Sequence, residues 1–263
     1  MSVQDKFSLK GKVAVITGGA GLLGPEIGTA FAEAGAQVVL VDRDESKGLK
    51  ALKRVPKKLK SKVVFLSADV ADKAAVQELF KQVTHSFKQV DILVNAAIGI
   101  GKNHFGPMEN YSWDDWNHVM KITVGGTFLC SQTVAEIMKK QKSGVIINFG
   151  SIYGVVGADQ RIYGDSGINS PAVYAASKGA IINLTRYLAV YLAPYGIRVN
   201  SVSPGGVWNN QPENFVKKYS ERTPLGRMLK KEELPAAILF LASSASSHVT
   251  GHNLMVDGGW TAW

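Results

Sequence analysis

The chain has 263 residues, of which 46% are hydrophobic and 19% are charged, so a full apolar core is available and bulk disorder is excluded. Its single cysteine, Cys130, excludes an intrachain disulfide. No apolar run reaches the roughly 18 residues that a membrane span needs, and the N-terminus shows no secretion signal. We therefore expect a cytoplasmic protein that does not bind to a membrane.

The formal net charge of +9 raises the question of nucleic-acid binding. Much of the excess lies in residues 47–62, where lysine and arginine recur without an interleaved aromatic residue. Bases of single strands stack on aromatic side chains, and this segment offers none. It is therefore predicted to be a solvated helix and loop, with attraction of anionic ligands as the alternative. No nucleic-acid partner is expected.

Short apolar or β-branched runs recur along the chain, and longer segments with helical spacing separate them. Strands that alternate with helices predict a parallel sheet that is covered on both faces. We predict an α/β fold, a single doubly wound Rossmann domain over residues 1–263 with a mostly seven-stranded parallel sheet. The predicted strands are 13–16, 37–41, 63–67, 91–95, 144–149, 197–202 and 253–257.

The first strand is followed by TGGAGLLG at residues 17–24 and then by an apolar-periodic helix. Glycines in this context permit a tight turn and a close backbone approach to a pyrophosphate, while the helix N-terminus supplies N–H donors. The same letters fit two spacings, G-x-G-x-x-G and T-G-x-x-G-x-x-G, so the turn predicts the cofactor and not the substrate. The predicted contacts are Gly18, Gly21, Leu22, Leu23 and Gly24.

Acidic residues end the next two strands. Asp42 lies eighteen residues after Gly24, where a carboxylate accepts hydrogen bonds from both ribose hydroxyls and repels a 2′-phosphate. This favours NAD over NADP as the cofactor, although the neighbouring Arg43 offers a guanidinium that could pair with a phosphate. Asp69, followed by Val70, is predicted to meet the adenine edge.

The segment YAASK places Tyr174 and Lys178 four residues apart, on one face of a helix. A free tyrosine has a pKa near 10, and a nearby ammonium group favours its phenolate form. Such a tyrosine can pass a proton to or from an alcohol oxygen while a hydride moves to or from nicotinamide. Ser151, at the end of the strand in VIINFGS, is predicted to hold the same oxygen.

These motifs resemble those of the short-chain dehydrogenase/reductase family over nearly the whole chain. ILVNAA stands where that family has its N-N-A-G motif, VNSVSPGGV resembles the nicotinamide-side segment, and TGHNLMVDGG resembles the usual ending. The resemblance implies that Ser151, Tyr174 and Lys178 are catalytic and that Lys178 also holds the nicotinamide ribose. The cofactor residues that it implies are Asn95, Ala96, Tyr174, Lys178, Pro204, Gly205, Val207 and Asn209.

Some positions depart from the family pattern. Leu22 stands where compact members have a glycine, and Asn209 aligns with an expected threonine, although its amide can still donate and accept hydrogen bonds. Thr123 replaces the asparagine of the long central helix, which puts the usual water relay in question.

The segment between Ser151 and Tyr174 is longer than in compact members and rich in polar side chains. Such a wall suits a polyhydroxylated ligand better than a fatty acyl chain, because each buried hydroxyl needs a partner. Residues 158–170 are predicted to border the active site, with substrate contacts at Arg161, Asp165 and Asn209. GSIYGVV, GGTFLCSQ and PGGVWNNQPENF are also similar to oxidoreductases of bacterial nonulosonic-acid and flagellin-glycan pathways.

We therefore predict an NAD-dependent oxidoreductase that interconverts a secondary alcohol and a ketone on a sugar, amino sugar or activated sugar, without a metal. A 3-oxoacyl-thioester reductase that uses NADPH and a non-catalytic dinucleotide-binding regulator are the alternatives. The family resemblance implies a homotetramer or homodimer built on the long central helices. The ending GGWTAW also favours an oligomer, because Trp260 and Trp263 are expected to need burial.

Overall fold

A computed structural model describes residues 2–102, 105–166 and 169–263 of the chain. Within these residues, parallel strands form one seven-stranded sheet in the order β3-β2-β1-β4-β5-β6-β7. The predicted doubly wound α/β fold is confirmed, and each of the predicted runs forms a strand. The strands are β1 Val13–Thr17, β2 Gln37–Asp42, β3 Val63–Ser67, β4 Ile92–Asn95, β5 Gly144–Phe149, β6 Ile197–Pro204 and β7 Asn253–Val256.

Helices cover both faces of the sheet. The helices are α1 Gly24–Glu33, α2 Glu45–Arg54, α3 Lys73–Phe87, α4 Trp113–Met120, α5 Gly126–Gln141, α6 Ala172–Leu192, α7 Glu213–Arg222 and α8 Leu234–Ala242. A π-helical turn, Lys121–Gly125, joins α4 to α5. Short 3₁₀ turns include Lys57–Lys62, Ile152–Gly154 and Gln160–Ile162.

Successive residues of each strand pack on opposite faces, which explains why strands such as β1 read as continuous apolar runs. Val15 belongs to a buried cluster with α3, α5 and α6, whereas the next residue, Ile16, belongs to a cluster with α1 and α8. Both side chains are fully buried. A polar residue at either position would therefore enter an apolar core.

The order of the strands reverses beside β1. Ala14 pairs with Val38 of β2 on one side and with Ile92 of β4 on the other, so the chain winds outward in both directions from this point. The loops that follow the two strands diverge there and leave a crevice at the carboxyl ends of the strands. This is the usual place for a ligand in an open parallel sheet.

The C-terminal segment packs against α7. Trp260 is only 1% exposed, and its ring stacks on Tyr219 with the ring centroids 4.4 Å apart. The expectation that Trp260 needs an oligomer for its burial was wrong, because α7 of the same chain already covers it. Trp263 is 71% exposed and lies 5.5 Å from the Arg222 guanidinium.

Membrane insertion finds no support among the helices that the structure describes. Not one of them combines the length and the apolar character that a bilayer crossing demands.

Candidate active site

A cavity of about 800 Å³ opens in the crevice at the carboxyl ends of the strands, a volume typical of small-molecule sites. The glycine turn after β1 lines one part of it, and the end of β5 and the start of α6 line another. The predicted residues that line it are Gly18, Gly21, Leu22, Leu23, Gly24, Asp42, Asp69, Val70, Ala96, Ser151, Tyr174, Lys178, Pro204, Gly205, Val207 and Asn209.

Two glycines of the turn are required by the backbone around them. Gly18 has φ +67°, and a Cβ there would lie 2.6 Å from the carbonyl oxygen of Ala96. A Cβ on Gly24 would lie 2.5 Å from the carbonyl oxygen of Gly19. Backbone atoms cannot move aside as a flexible side chain can, so glycine lets β1, the turn and α1 meet closely and leaves the helix N-terminus facing the cavity.

Asp42 joins the end of β2 to the glycine turn. Its Oδ2 accepts a hydrogen bond from the Ala20 backbone N–H at 3.3 Å, and its Oδ1 accepts one from the Asp44 N–H at 3.3 Å. Arg43 and Lys47 line the same end of the cavity, and the Lys47 ammonium lies 3.3 Å from Asp44. This end of the cavity therefore combines a carboxylate, which can accept hydrogen bonds from hydroxyl groups, with two cationic side chains.

Ser151 and Tyr174 meet at the other end. The Ser151 Oγ accepts a hydrogen bond from the Tyr153 backbone N–H at 3.2 Å and is also hydrogen-bonded to the Tyr174 hydroxyl. Burial raises the pKa of Tyr174 above its usual range, and the hydrogen bond from Ser151 opposes this shift. Lys178 was predicted to lower the pKa of Tyr174 by stabilising its phenolate form. The pKa is raised instead, because the free-energy cost of burying the phenolate charge is larger.

Lys178 is buried beneath Tyr174. Its Nζ donates a hydrogen bond to the Phe149 carbonyl oxygen at 2.8 Å and lies 5.7 Å from the centroid of the Tyr174 ring. Burial lowers the pKa of Lys178 from 10.5 to about 8, because the ammonium form is poorly solvated there. A group that titrates so close to neutral pH, beside a tyrosine and a serine, is suited to proton transfer.

Thr123 holds the loop that follows β4. It is buried in the π-helical turn, and its Oγ1 accepts a hydrogen bond from the Gly99 backbone N–H at 3.0 Å. The Thr123 carbonyl oxygen accepts one from the Thr127 hydroxyl at 2.7 Å. The loop contributes Ile98 and Ile100 to the cavity, so Thr123 positions part of the site wall.

Asn95 does not line the cavity, contrary to the prediction. Its side chain is buried, and its Nδ2 donates to the Ser131 Oγ at 3.0 Å and to the Asn148 Oδ1 at 2.9 Å. Asn148 in turn donates to the Thr185 hydroxyl at 2.9 Å. The motif correctly indicates the end of β4, but the Asn95 side chain ties α5, β4, β5 and α6 together while Ala96 lines the cavity.

Residues 167 and 168 of the predicted segment 158–170 lie outside the described residues, and among the others Tyr163, Asn169 and Ser170 line the cavity. Contrary to the prediction, Arg161 and Asp165 do not line it. The Arg161 side chain is 88% exposed and donates from Nε and Nη2 to Asp159, both at 2.8 Å. Asp165 is exposed and accepts a hydrogen bond at 3.1 Å from Asn214 of α7. Local partners therefore draw both charges away from the cavity.

Aromatic side chains form a part of the wall, in which sequence reasoning included Tyr163 but missed Tyr153, Phe215 and Tyr219. Tyr163 stacks on Phe215 at 5.5 Å between ring centroids, and Phe215 lies 5.8 Å from Tyr219, one turn further along α7. Both α7 rings line the cavity, and Tyr153 completes this wall beside Tyr174. The i, i+4 spacing of Phe215 and Tyr219 indicates a shared helix face, but not what that face contacts.

Known proteins resemble this chain over almost its full length. Residues 20–261 match the family described as enoyl-(acyl carrier protein) reductase. The chain is 37% identical to galactitol 2-dehydrogenase (L-tagatose-forming) from Cereibacter sphaeroides, over 100% of both proteins. It is 36% identical to the 3-oxoacyl-[acyl-carrier-protein] reductase FabG of Thermotoga maritima, over 95% of this chain and 98% of that protein.

Solved structures share the fold. A short chain dehydrogenase from Leptospira borgpetersenii with bound NAD+ superimposes with a TM-score of 0.87 and 40% identity, over 99% of this chain and 96% of that one. A gluconate 5-dehydrogenase from Burkholderia cenocepacia in complex with NADP and tartrate gives a TM-score of 0.88 and 33% identity, over 100% of both chains.

Proposed function

Since the chain belongs to the short-chain dehydrogenase/reductase family and is an oxidoreductase that uses a nicotinamide dinucleotide, we propose that it interconverts a secondary alcohol and a ketone on a polyhydroxylated substrate, such as a sugar, amino sugar or activated sugar. One observation carries this proposal. Ser151, Tyr174 and Lys178 converge in the same cavity that the glycine turn lines.

The cavity fits a nicotinamide dinucleotide. The glycine turn and the first turn of α1 would hold the phosphates, Asp42 the adenosine ribose, and Asp69 and Val70 the adenine. Lys178 and the segment 204–207 would hold the nicotinamide end. When bound, the dinucleotide supplies or accepts the hydride. We further propose that residues 1–263 form a single domain for cofactor binding and catalysis.

The protein's own part in the reaction is proton transfer. For ketone reduction, Tyr174 donates its hydroxyl proton to the oxygen of the substrate while Ser151 holds that oxygen by a hydrogen bond. Burial keeps Tyr174 protonated and therefore ready for this direction. For alcohol oxidation, Tyr174 must first lose its proton, and the Lys178 ammonium beside it stabilises the resulting charge.

Two observations support a polyhydroxylated substrate. The wall beside Tyr174 carries the hydroxyl groups of Tyr153, Tyr163 and Ser170, and Asn209 adds an amide. The named relatives include a galactitol dehydrogenase and a gluconate dehydrogenase. A role in a nonulosonic-acid or flagellin-glycan pathway is a narrower form of the same proposal.

A 3-oxoacyl-thioester reductase is the second candidate. Ile98, Ile100 and Phe105 give the cavity an apolar side, and the FabG relative carries that activity in its name. A third alternative, a dinucleotide-binding regulator without turnover, is disfavoured because the serine, tyrosine and lysine are all in place.

A cofactor-reduction screen tests the proposal. Polyols, sugars, amino sugars and nucleotide-activated sugars are each offered with NAD and with NADP, and acetoacetyl thioester is offered with NADH and NADPH. We expect turnover on at least one polyhydroxylated compound with a higher kcat/KM than on the thioester. A preference for the thioester would establish the second candidate, and tight dinucleotide binding without any turnover would favour the regulator.

We propose that NAD is preferred to NADP, because the Asp42 carboxylate repels a 2′-phosphate. Replacing Asp42 by serine is expected to change the ratio of the two dissociation constants by at least about tenfold in favour of NADP. Arg43→Ala, as the matched control, should shift the ratio in the opposite direction. The constants are measured by fluorescence titration of the reduced cofactors. Tighter NADP binding by the unmodified protein would show that Arg43 and Lys47 dominate this end of the cavity.

We also propose a homotetramer or homodimer built on α5 and α6. Tyr187, Val190 and Tyr191 lie exposed on α6, and Val190 is 79% exposed. A contiguous apolar face of this kind on long helices is typical of a protein interface. Light scattering should give at least twice the 28.3 kDa of one chain. Val190→Glu should lower that mass, whereas Leu49→Glu, on the exposed side of α2, should not. A monomer at micromolar concentration would refute the proposal.

A further inference from the structure

Three hydroxyl groups form a hydrogen-bonded chain along the wall beside Tyr174. The Ser170 side chain is hydrogen-bonded to the Tyr163 hydroxyl. The Tyr163 hydroxyl donates to the Tyr153 hydroxyl at 2.9 Å. All three residues line the cavity, and Tyr163 is almost completely buried. This series of hydroxyl groups therefore extends from Ser170, in the segment 158–170, to Tyr153, whose ring lies next to that of Tyr174.

This series of hydroxyl groups has one hydrogen atom that it can donate to a ligand in the cavity. Each hydroxyl has a single hydrogen, and the hydrogen of Tyr163 is given to Tyr153. With Tyr163 as the donor of this bond, the hydrogen of the Tyr153 hydroxyl is left for the cavity that Tyr153 lines. Burial raises the pKa of both tyrosines, so they keep their protons at neutral pH. Tyr153 therefore presents a donor to whatever occupies the cavity.

Tyr153 is fixed close to the reacting atoms. Its backbone N–H donates to the Ser151 Oγ at 3.2 Å, and the same oxygen is hydrogen-bonded to Tyr174. The rings of Tyr153 and Tyr174 meet edge to face, with centroids 6.5 Å apart. A substrate oxygen held by Ser151 and Tyr174 would therefore lie beside Tyr153, and one of the two carbons next to the reacting carbon would face this wall.

We propose that Tyr153 determines specificity by donating a hydrogen bond to a hydroxyl group on the carbon next to the reacting carbon. This inference rests on the proposed function and narrows it: the preferred substrates are vicinal diols in the oxidative direction and α-hydroxy ketones in the reductive direction. A 3-oxoacyl thioester has no hydroxyl group on either carbon next to its ketone, so it leaves this donor unpaired. A site with an unpaired buried donor discriminates strongly against such a compound.

Acetoin and butanone test the inference, because they differ only in the hydroxyl group next to the ketone. We expect the unmodified protein to reduce acetoin with a kcat/KM about 10- to 100-fold above that for butanone. Tyr153→Phe should remove most of this ratio by lowering the value for acetoin alone. Tyr163→Phe, which removes the group that orients Tyr153, should cause a smaller loss in the same direction. The two losses should not be additive in the double variant.

Controls separate recognition from folding and from the proposed function. Tyr195→Phe, at an exposed position outside the cavity, should leave the ratio unchanged, and each variant should keep its thermal unfolding midpoint and its cofactor affinity. Binding of both ketones to the complex with the reduced cofactor, followed by the fluorescence of that cofactor, gives the same ratio without turnover. Equal kcat/KM values for acetoin and butanone in the unmodified protein would overturn the inference. An unchanged ratio of these two values in Tyr153→Phe would do so as well. A ratio that depends on Tyr153, together with no activity on the carbohydrate panel, contradicts only the wider proposed function.

Discussion

Replacing Tyr174 by phenylalanine is expected to lower kcat by about 10²- to 10⁴-fold, the usual contribution of a positioned acid or base. The phenyl ring fills the same space, so the contacts with Tyr153 and Lys178 are kept and only the proton carrier is lost. The dissociation constant of the dinucleotide should change less than threefold. Steady-state kinetics with the best compound of the panel, together with a cofactor titration, measure both quantities.

Tyr195→Phe is the matched control for this variant, because it removes a tyrosine hydroxyl from the turn that follows α6, at an exposed position outside the cavity. It should leave kcat unchanged. A Tyr174→Phe protein that keeps its fold and more than a tenth of the original turnover would show that another group transfers the proton. The pH dependence of the remaining activity would then identify the pKa of that group.

Lys178→Met is expected to lower kcat by about 10²- to 10³-fold, the effect typical of removing one preorganised electrostatic group from a site. Methionine keeps much of the side-chain volume and removes the charge that stabilises the deprotonated Tyr174. The loss should appear in both directions, because ketone reduction generates the phenolate that alcohol oxidation requires. An unchanged kcat together with a raised dissociation constant of the dinucleotide would indicate that Lys178 acts through cofactor binding instead.

The same substitution should change how stability depends on pH. The pKa of Lys178 is lowered from 10.5 to about 8 in the folded chain, so between these values the unfolded chain holds a proton that the folded chain has lost. The free energy of unfolding due to Lys178 therefore rises with pH across this window, by about 3 kcal/mol in total. Below pH 8 both states carry the proton, and the folded state bears the full cost of burying the charge.

Denaturant unfolding of the unmodified protein and of Lys178→Met, at pH values from 7 to 10, measures this contribution as a difference. The raised pKa of Tyr174 acts above pH 10 and in the opposite direction, so the comparison ends there. Lys50→Met, at an exposed position on α2, serves as the control for the loss of a lysine side chain. A pH-independent difference for Lys178→Met would mean that the buried ammonium is fully compensated by its contacts.

The sequence predicts the parts of the fold and of the site that depend on local context. Strands such as β1 are apolar at successive positions because both faces of the sheet are covered, and the glycine turn is recognisable because it joins such a strand to a helix. Asp42 follows from its place at the end of β2. Each of these inferences needs only a few neighbouring residues.

Contacts between distant segments explain what the sequence does not predict. Asn95 and Ala96 are neighbours in one motif, but strand geometry turns the Asn95 side chain toward Ser131 and Asn148, far along the chain. Asp165 belongs to a polar segment, yet its partner outside the cavity, Asn214, lies 49 residues further along the chain. The wall made by Tyr163, Phe215 and Tyr219 depends on how α7 packs on the segment 158–170.

The reversal of strand order beside β1 has a consequence for cooperativity. The cavity takes Asp42 and Asp69 from the half of the sheet that contains β1, β2 and β3, and Ser151 and Pro204 from the half that contains β4 to β7. A ligand that contacts both halves is released when either half opens, so its binding free energy opposes the local opening of each. At a concentration one hundred times the dissociation constant, this linkage amounts to about 2.7 kcal/mol. Between the halves β1 pairs with β4, and α1 packs on α8 and α3 on α5. A bound dinucleotide would add a further connection that opposes separate opening of the two halves.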